Sequence, residues 1–261
     1  MADKKNELAL VPIEQYAILA ESPENMQAVI ADNLGSGTLS PFDLEQIRVP
    51  GSGGTLWERK SFDDPEADKD GNIQVREVQG IVVYFRDMRS WWEESFDQKQ
   101  GSGAPPDCQS QDAIHGTGRF GAGSQGNPTG LCSNCPKSQW KSDRKGGTGQ
   151  DCSQVRTMFL IEPQGLLPLS VKIPPTSVKE CRKYFIGLAS KGVPYWAVIT
   201  RMTLFKDKNA AGIPYSKIRF DSQRMSLETR EKIKGIQQSM RAVFENLTID
   251  VSDTRGSEVT E

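Results

Sequence analysis

The sequence has little histidine and no long hydrophobic run. His115 is the single histidine, and no apolar stretch approaches the roughly 20 residues that a membrane-spanning helix requires. The N-terminal segment carries two lysines, but Pro12, Glu14 and Gln15 interrupt its short apolar patch, which argues against a signal peptide. We therefore expect a cytoplasmic protein without a membrane partner, in a reducing compartment where stable disulfides are rare.

A second scarcity concerns catalytic groups. No carboxylate cluster stands out at the spacing of a two-metal nuclease, and one histidine supplies a single imidazole. His115 could pair with a cysteine as a catalytic dyad. However, the glycine-rich segment that follows it, HGTGRFGAGSQGNPTG, is a poor scaffold for a thiolate, a base and an orienting group. The sequence therefore predicts a binding protein and not an enzyme.

Four of the five cysteines lie between residues 108 and 152. Cys132 and Cys135 form a Cys-x-x-Cys turn, which supplies half of a tetrahedral zinc site. Cys108 precedes this turn by 23 intervening residues, and Cys152 follows it by 16. The polar, glycine-rich chain between them cannot build its own core and needs an anchor at each end. We predict that the four cysteines bind one structural Zn²⁺; unconnected thiols are the alternative, and His115 could replace Cys108, the most remote ligand.

The segment EADKDGNIQVRE, residues 66–77, matches the spacing of an EF-hand calcium loop. Two features argue against calcium binding. The first ligand would be Glu66 and not aspartate, and the flanks are Pro65 and an apolar β-branched run instead of helices. Asp-Gly between strand-like segments is a turn signal, so we interpret the segment as a polar hairpin.

Periodicity and turn residues predict a mainly β, α+β fold. The order of elements is strand, strand, insert, strand, strand, helix, strand, strand, helix, which resembles an OB-like antiparallel barrel with an inserted zinc-binding loop and a C-terminal helix. Cys181 falls in the central helix and is predicted to be a buried or half-buried free thiol. The expected organisation is an N-terminal arm at 1–35, an OB-like domain at 36–248 with its insert at about 101–152, and an acidic disordered tail at 249–261.

Positive charge is concentrated within the predicted barrel. Residues 172–224 contain 11 Lys/Arg against three acidic residues, whereas acids are dense at 61–100 and in the tail. A basic body with an acidic tail is typical of nucleic-acid-binding proteins, although a solvated cationic face without a ligand is the alternative. Aromatic residues are interleaved with the basic ones, as in proteins that stack unpaired bases along a cationic groove.

These patterns give candidate nucleic-acid-binding residues. Lys217 and Arg219 are two positions apart and so share one face of a strand, which Arg201 joins if the two strands pair. Lys206 is five positions from Arg201 and joins only if the strand has bent or ended there. Trp91 and Trp92, adjacent in a polar segment, are candidates for base stacking, with packing under the cysteine loop as the alternative. The predicted interface consists of Trp91, Trp92, Lys141, Tyr195, Trp196, Arg201, Lys206, Lys217 and Arg219.

Four stretches carry a resemblance to a known family: CSNCPKSQW…GGTGQDC, FLIEPQGLLPLSVKIPPTS, KYFIGLASKGVPYWAVITRMTL and NAAGIPYSKIRF. Together they resemble single-stranded DNA-binding proteins of phages and mobile elements, over about residues 30–225. More loosely, the chain is similar to the helix-destabilising proteins of large phages, which carry a zinc loop in an OB fold and an acidic tail. Those proteins use a histidine among their zinc ligands, whereas this chain offers a fourth cysteine. The resemblance implies the cytosol of a bacterial host.

The sequence thus predicts a single-stranded DNA-binding protein of replication or recombination that neutralises the backbone, stacks on bases and contains a structural zinc. The acidic tail would recruit replication or recombination proteins, with self-association on DNA as an open alternative. Two other functions remain in view. One is a recombination protein that anneals complementary strands, and the other is a zinc-ribbon interaction module of a replication complex with little DNA affinity of its own.

Overall fold

The computed structural model describes residues 10–34, 39, 43–50, 53–62, 64–69, 71–94, 105–144, 146–209, 212–245 and 247. The acidic tail predicted at 249–261 lies outside these residues. So do the first nine residues of the predicted arm and the first four of the predicted insert.

The described strands form one open, mixed sheet. Its main path runs in the order β10-β9-β4-β7-β8-β1-β2-β3, and β5 and β6 extend it from β4. All pairings are antiparallel except that of β1 with β8. The strands are β1 Gln46–Arg48, β2 Trp57–Lys60, β3 Asn72–Val75, β4 Glu77–Trp91, β5 Cys108–Ser110, β6 Thr117–Gly118, β7 Ser153–Ile161, β8 Leu169–Ile173, β9 Val198–Lys208 and β10 Pro214–Arg224.

Three α-helices accompany the sheet: α1 Pro23–Leu34, α2 Pro175–Ala189 and α3 Leu227–Glu245. Helix α2 begins with a proline, whose fixed φ angle and missing N–H suit the first helical position. Just before α3, the Ser226 hydroxyl accepts the backbone N–H of Thr229, which satisfies a donor that the first helical turn leaves open. Across the described ranges, no helix has both the length and the apolar character of a membrane span.

The helices cover the two faces of the sheet. Consecutive strand residues point to opposite faces, and Phe159 accordingly packs with α3 while Met158 packs with α2. On the first face, the ring of Phe159 stacks on that of Phe244 with centroids 4.4 Å apart, and the N-terminal segment contributes buried Tyr16 and Ile18. On the second face, Cys181 lies fully buried among apolar residues of the sheet, as predicted for a free thiol.

The α+β class is confirmed, whereas the OB-like barrel is not. The sheet is not closed, because β10 and β3 lie at the two ends of the described path. Three short strands, β1 to β3, extend the sheet beyond β8, and a layer of helix covers each face. The EF-hand-like segment lies in a hairpin, since β2 and β3 pair antiparallel across it.

Candidate metal centre and nucleic-acid interface

The cysteine-rich insert is an irregular module joined to the end of the central strand. We use the term cysteine module for residues 105–144 and 146–152. Strand β5 pairs with the last residues of β4, which places Cys108 opposite Trp91. The module ends at Cys152, one residue before β7, and β7 also pairs with the end of β4. Both ends of the insert are therefore fixed at the same place on the sheet.

The four cysteines predicted as ligands come together around one small cavity. Cys108, Cys132, Cys135 and Cys152 are all free thiols and all line it, and their exposed fractions are only 6 to 8%. The cavity has a volume of about 10 Å³, close to the space that a single water-sized occupant needs. Residues separated by up to 44 positions thus line one small cavity.

The donor set fits zinc by its chemistry. Four thiolates are a common ligand set of structural Zn²⁺ sites, and Cys-x-x-Cys turns are typical of them. Within the described part of the chain, however, no group of three or more His, Cys, Asp or Glu side chains is already arranged to hold a metal ion. The structure therefore brings the predicted ligands to one cavity, but it does not place them in the geometry of a complete metal-coordination sphere.

Burial and a nearby guanidinium have opposite effects on the ionisation of the cavity thiols. Burial is the largest influence on the thiols; it raises the pKa of Cys108 and Cys132, and raises the pKa of Cys152 to about 12. Without a metal these thiols hold their protons at neutral pH, and a metal would displace them. The guanidinium of Arg89 acts in the opposite direction and favours the thiolates of Cys132 and Cys152. It would also offset part of the negative charge that four thiolates leave around one Zn²⁺.

His115 does not share this cavity. Its side chain is 68% exposed, and its Nδ1 lies 2.7 Å from the Asp112 carboxylate. The alternative in which His115 replaces Cys108 is therefore not favoured, because Cys108 lines the cavity and His115 does not.

Trp91 lies at the base of the cysteine module. It is 4% exposed and packs with Cys108, Cys152 and the edge of the Phe120 ring. Its indole N–H donates to the Asp151 carboxylate at 2.8 Å. In this arrangement Trp91 is not accessible to a base, and the alternative given by the sequence, packing under the cysteine loop, describes its position.

Asp151 connects this tryptophan to the cations of the module. Its side chain is 4% exposed and also accepts Lys137 Nζ at 3.0 Å and Arg144 Nε at 2.6 Å. These hydrogen bonds hold the pKa of Asp151 below its usual range, although burial acts against them. Arg144 further donates to the backbone carbonyl of Trp92, whose side chain is only 3% exposed. Both tryptophans are therefore packed beneath the cysteine module.

The β9–β10 hairpin separates the predicted cations. The strands pair antiparallel, so Arg201, Lys217 and Arg219 share one face, as predicted, and Lys206 lies on the other. Arg201 is bonded to Asp221 at 3.2 Å. Lys217 lies 3.6 Å from Glu180 and 3.5 Å from Asp207. Acidic neighbours therefore neutralise two of the three cations of the predicted stripe.

Tyr195 and Trp196 are half-buried between the sheet and the helices. The Tyr195 ring packs on Phe85 and Phe185, and its hydroxyl accepts the side-chain amide of Gln237 at 3.3 Å. Trp196 contacts the core beneath α3. Both residues contribute mainly to packing in this arrangement.

Exposed positive charge is most concentrated on α2. Lys179, Arg182 and Lys183 lie along its solvent side, and Lys191 follows its end; we call these four residues the α2 basic surface. Of these four, only Lys183 lies within ion-pair distance of an acidic side chain among the described residues, that of Glu180 at 3.7 Å. Sequence analysis counted these cations in the regional charge but did not assign them to the interface. Spacings of three and four residues could have identified the stripe.

The cysteine module also exposes an aromatic side chain. Trp140 is 71% exposed, in contrast to Trp91 and Trp92. The adjacent Lys141, a predicted interface residue, is exposed and has a φ of 69°, which is unusual for a non-glycine residue. The sequence pairs a tryptophan with a lysine here, but it could not show which of the tryptophans remains accessible.

Comparisons of the chain with models of protein families, with curated proteins and with solved structures found no match.

Proposed function

We propose that the protein binds single-stranded DNA, without catalysing a reaction, and that a zinc ion stabilises its cysteine module. The observation that carries the DNA-binding proposal is the α2 basic surface. Three of its four cations have no acidic side chain within ion-pair distance among the described residues. Cations without acidic partners can replace the counterions that surround a phosphate backbone.

The hairpin extends this surface. Lys206 lies on the strand face against which α2 packs, since it is two positions beyond Leu204, which shares a cluster with Val178 and Cys181 of α2. Lys217 also contacts this helix, but Glu180 and Asp207 neutralise it, so Lys206 is the hairpin cation that extends the surface. Phosphates could therefore be neutralised along α2 and across to the hairpin, and Lys206 is better placed for this than Arg201.

The zinc proposal rests on the shared cavity of four buried cysteines. Cys108, Cys132, Cys135 and Cys152 would hold the ion, and the ion would supply a crosslink between three segments that have no large core of their own. This role is structural, and zinc takes no part in DNA contacts. The zinc ion would fix the conformation of the cysteine module and the positions of the adjoining ends of β4 and β7.

Titration of the full-length protein with labelled oligothymidylate and with a matched duplex, each at two salt concentrations, tests the proposal. We expect tighter binding to the single strand and an affinity that falls as salt rises. Equal affinity for both DNA forms would contradict single-strand specificity. Absence of binding at low salt would contradict the DNA-binding function and leave the zinc-ribbon interaction module as the better explanation.

A further inference from the structure

Of the tryptophan and phenylalanine side chains in the cysteine module, that of Trp140 is the exposed one, and it lies on the turn that follows the Cys-x-x-Cys motif. Trp140 is 71% exposed, and within the described residues 130–152 it is the one large hydrophobic side chain with substantial exposure. A docking surface for an apolar protein segment needs a contiguous patch. An isolated indole in a polar turn suits a smaller flat partner better.

The backbone beneath Trp140 is held from several sides. The Gln139 amide donates to the carbonyls of Ser133 and Cys135, at 2.8 and 3.0 Å. The N–H of Lys141 donates to the carbonyl of Thr148 at 3.1 Å. Lys141 itself adopts a left-handed conformation, φ 69°, which disfavours residues other than glycine. These hydrogen bonds fix the backbone on both sides of Trp140 while its side chain stays exposed, and backbone strain of this kind is concentrated at functional positions.

The charge around the turn is positive. Lys141 is exposed, and Lys137 and Arg144 are each 32% exposed on either side of it in sequence. Both of these are bonded to one carboxylate, that of Asp151, so the pair keeps a net positive charge. An anionic ligand with a flat, unpaired ring system would match both the indole and this charge.

The cysteine module is joined to a strand against which α2 packs. Strand β7 begins directly after Cys152, and the Arg156 side chain contacts Cys181 of α2. Four residues of extended chain span about 13 Å. The module therefore lies close to the helix that carries the α2 basic surface.

We propose that Trp140 is a stacking site for an unpaired base of the strand whose phosphates lie on the α2 basic surface. The proposal rests on the proposed single-stranded DNA binding and adds to it a contact on the cysteine module. It assigns to the module a direct role in DNA binding, in addition to the structural role of its zinc. Lys141 would neutralise the phosphate next to the stacked base.

Trp140→Ala and Trp140→Phe in the full-length protein test this assignment, with an oligothymidylate of about 20 nucleotides, longer than one site. We expect Trp140→Ala to weaken binding by about 5- to 150-fold, the range that loss of one stacked base produces. Trp140→Phe should recover most of the affinity. Because the side chain is exposed, zinc content and melting temperature should match those of the wild type in both variants.

Phe62→Ala is the matched control. Phe62 is also an exposed aromatic residue, at 60%, but it lies in an acidic segment, so its removal should leave DNA affinity unchanged. Tryptophan fluorescence supplies a second measurement, since Trp57, Trp91 and Trp92 are buried and Trp196 is half-buried against the core. DNA should quench the emission of the wild type, and the quenching should largely disappear in Trp140→Phe.

The outcomes separate this inference from the function on which it rests. If the wild type binds oligothymidylate and Trp140→Ala binds equally well, the stacking site is overturned and the DNA-binding function stands. If the wild type itself does not bind, both are overturned. An equal loss of affinity in Phe62→Ala would show a non-specific effect of removing surface aromatics and would also overturn the assignment.

Discussion

At the scale of single residues, the cysteines divide into two kinds of thiol. Four share a cavity at the end of β4, whereas Cys181 lies fully buried in the core beneath α2. Burial raises the pKa of Cys181 to about 11, so it remains a protonated, unreactive thiol at neutral pH. Zinc binding should therefore depend on the four cysteines that line the cavity and not on Cys181.

We predict that Cys108→Ser loses most of its bound zinc, because the serine hydroxyl is a much poorer zinc ligand than a thiolate. Cys181→Ser is the control and should retain one zinc per chain, although it should unfold at a lower temperature than the wild type. Metal analysis of the purified variants measures both. Full zinc retention in Cys108→Ser would assign the fourth ligand position to another residue.

Asp151 connects Trp91 to two cations of the cysteine module, so its replacement should destabilise the module. Asp151→Asn removes the charge that three donors share in a nearly buried position, namely Trp91, Lys137 and Arg144. We expect a loss of about 2–4 kcal/mol in the free energy of unfolding, because one partner of a buried charged network is removed. Urea denaturation measures it. Glu66→Gln, at an exposed position, should change stability by less than about 0.5 kcal/mol, and a similar loss in both variants would contradict the role of the network.

At the scale of elements, α2 and α3 offer a matched comparison, because they cover opposite faces of the sheet. The α2 basic surface has few acidic neighbours, whereas the exposed Lys232 and Lys234 of α3 share their helix with Glu228 and Glu231. Changing two cations on each helix alters the net charge of the protein equally. A difference between the two variants would therefore report position and not total charge.

We predict that Lys179→Ala/Arg182→Ala lowers the dependence of log affinity on log salt by about 1.4, since each lost phosphate contact on a single strand accounts for about 0.7. Lys232→Ala/Lys234→Ala should leave that slope unchanged. Oligothymidylate titrations over a series of salt concentrations give both values. Equal slopes in the two variants would place the DNA elsewhere.

Much of the element order could be predicted because the signals are local. The prolines before α2 and the apolar strand at Val155–Ile161 are strong patterns, and both elements form where they were expected. The closing of a barrel depends on which distant strands pair, and no local pattern contains that information. Trp91 and Trp92 were assigned to a polar loop, but β4 continues as far as Trp91 and the cysteine module covers both side chains. The local sequence likewise contains no signal that a distant insert will bury these two side chains.

At the scale of the whole molecule, charge is unevenly distributed along the chain. Residues 249–261 carry four acidic residues and one basic residue, and they would compete with phosphates for the same cations. We predict that a chain ending at residue 248 binds oligothymidylate with equal or higher affinity at low salt. Titration of the truncated and full-length proteins side by side measures this. A marked fall in affinity after truncation would contradict it and would give the tail a direct part in binding.

The parallel pairing of β1 with β8 has a consequence for biosynthesis. Gln46 lies opposite Ser170, so the first strand cannot take its place until the ribosome has made more than half of the chain. The β1–β2–β3 segment can therefore join the sheet only after β8 has been synthesised and can pair with β1. In refolding followed by pulsed hydrogen exchange, the amides of β1 should become protected no earlier than those of β8. The β1–β2–β3 segment would then join the sheet no earlier than β8, although it is synthesised well before that strand.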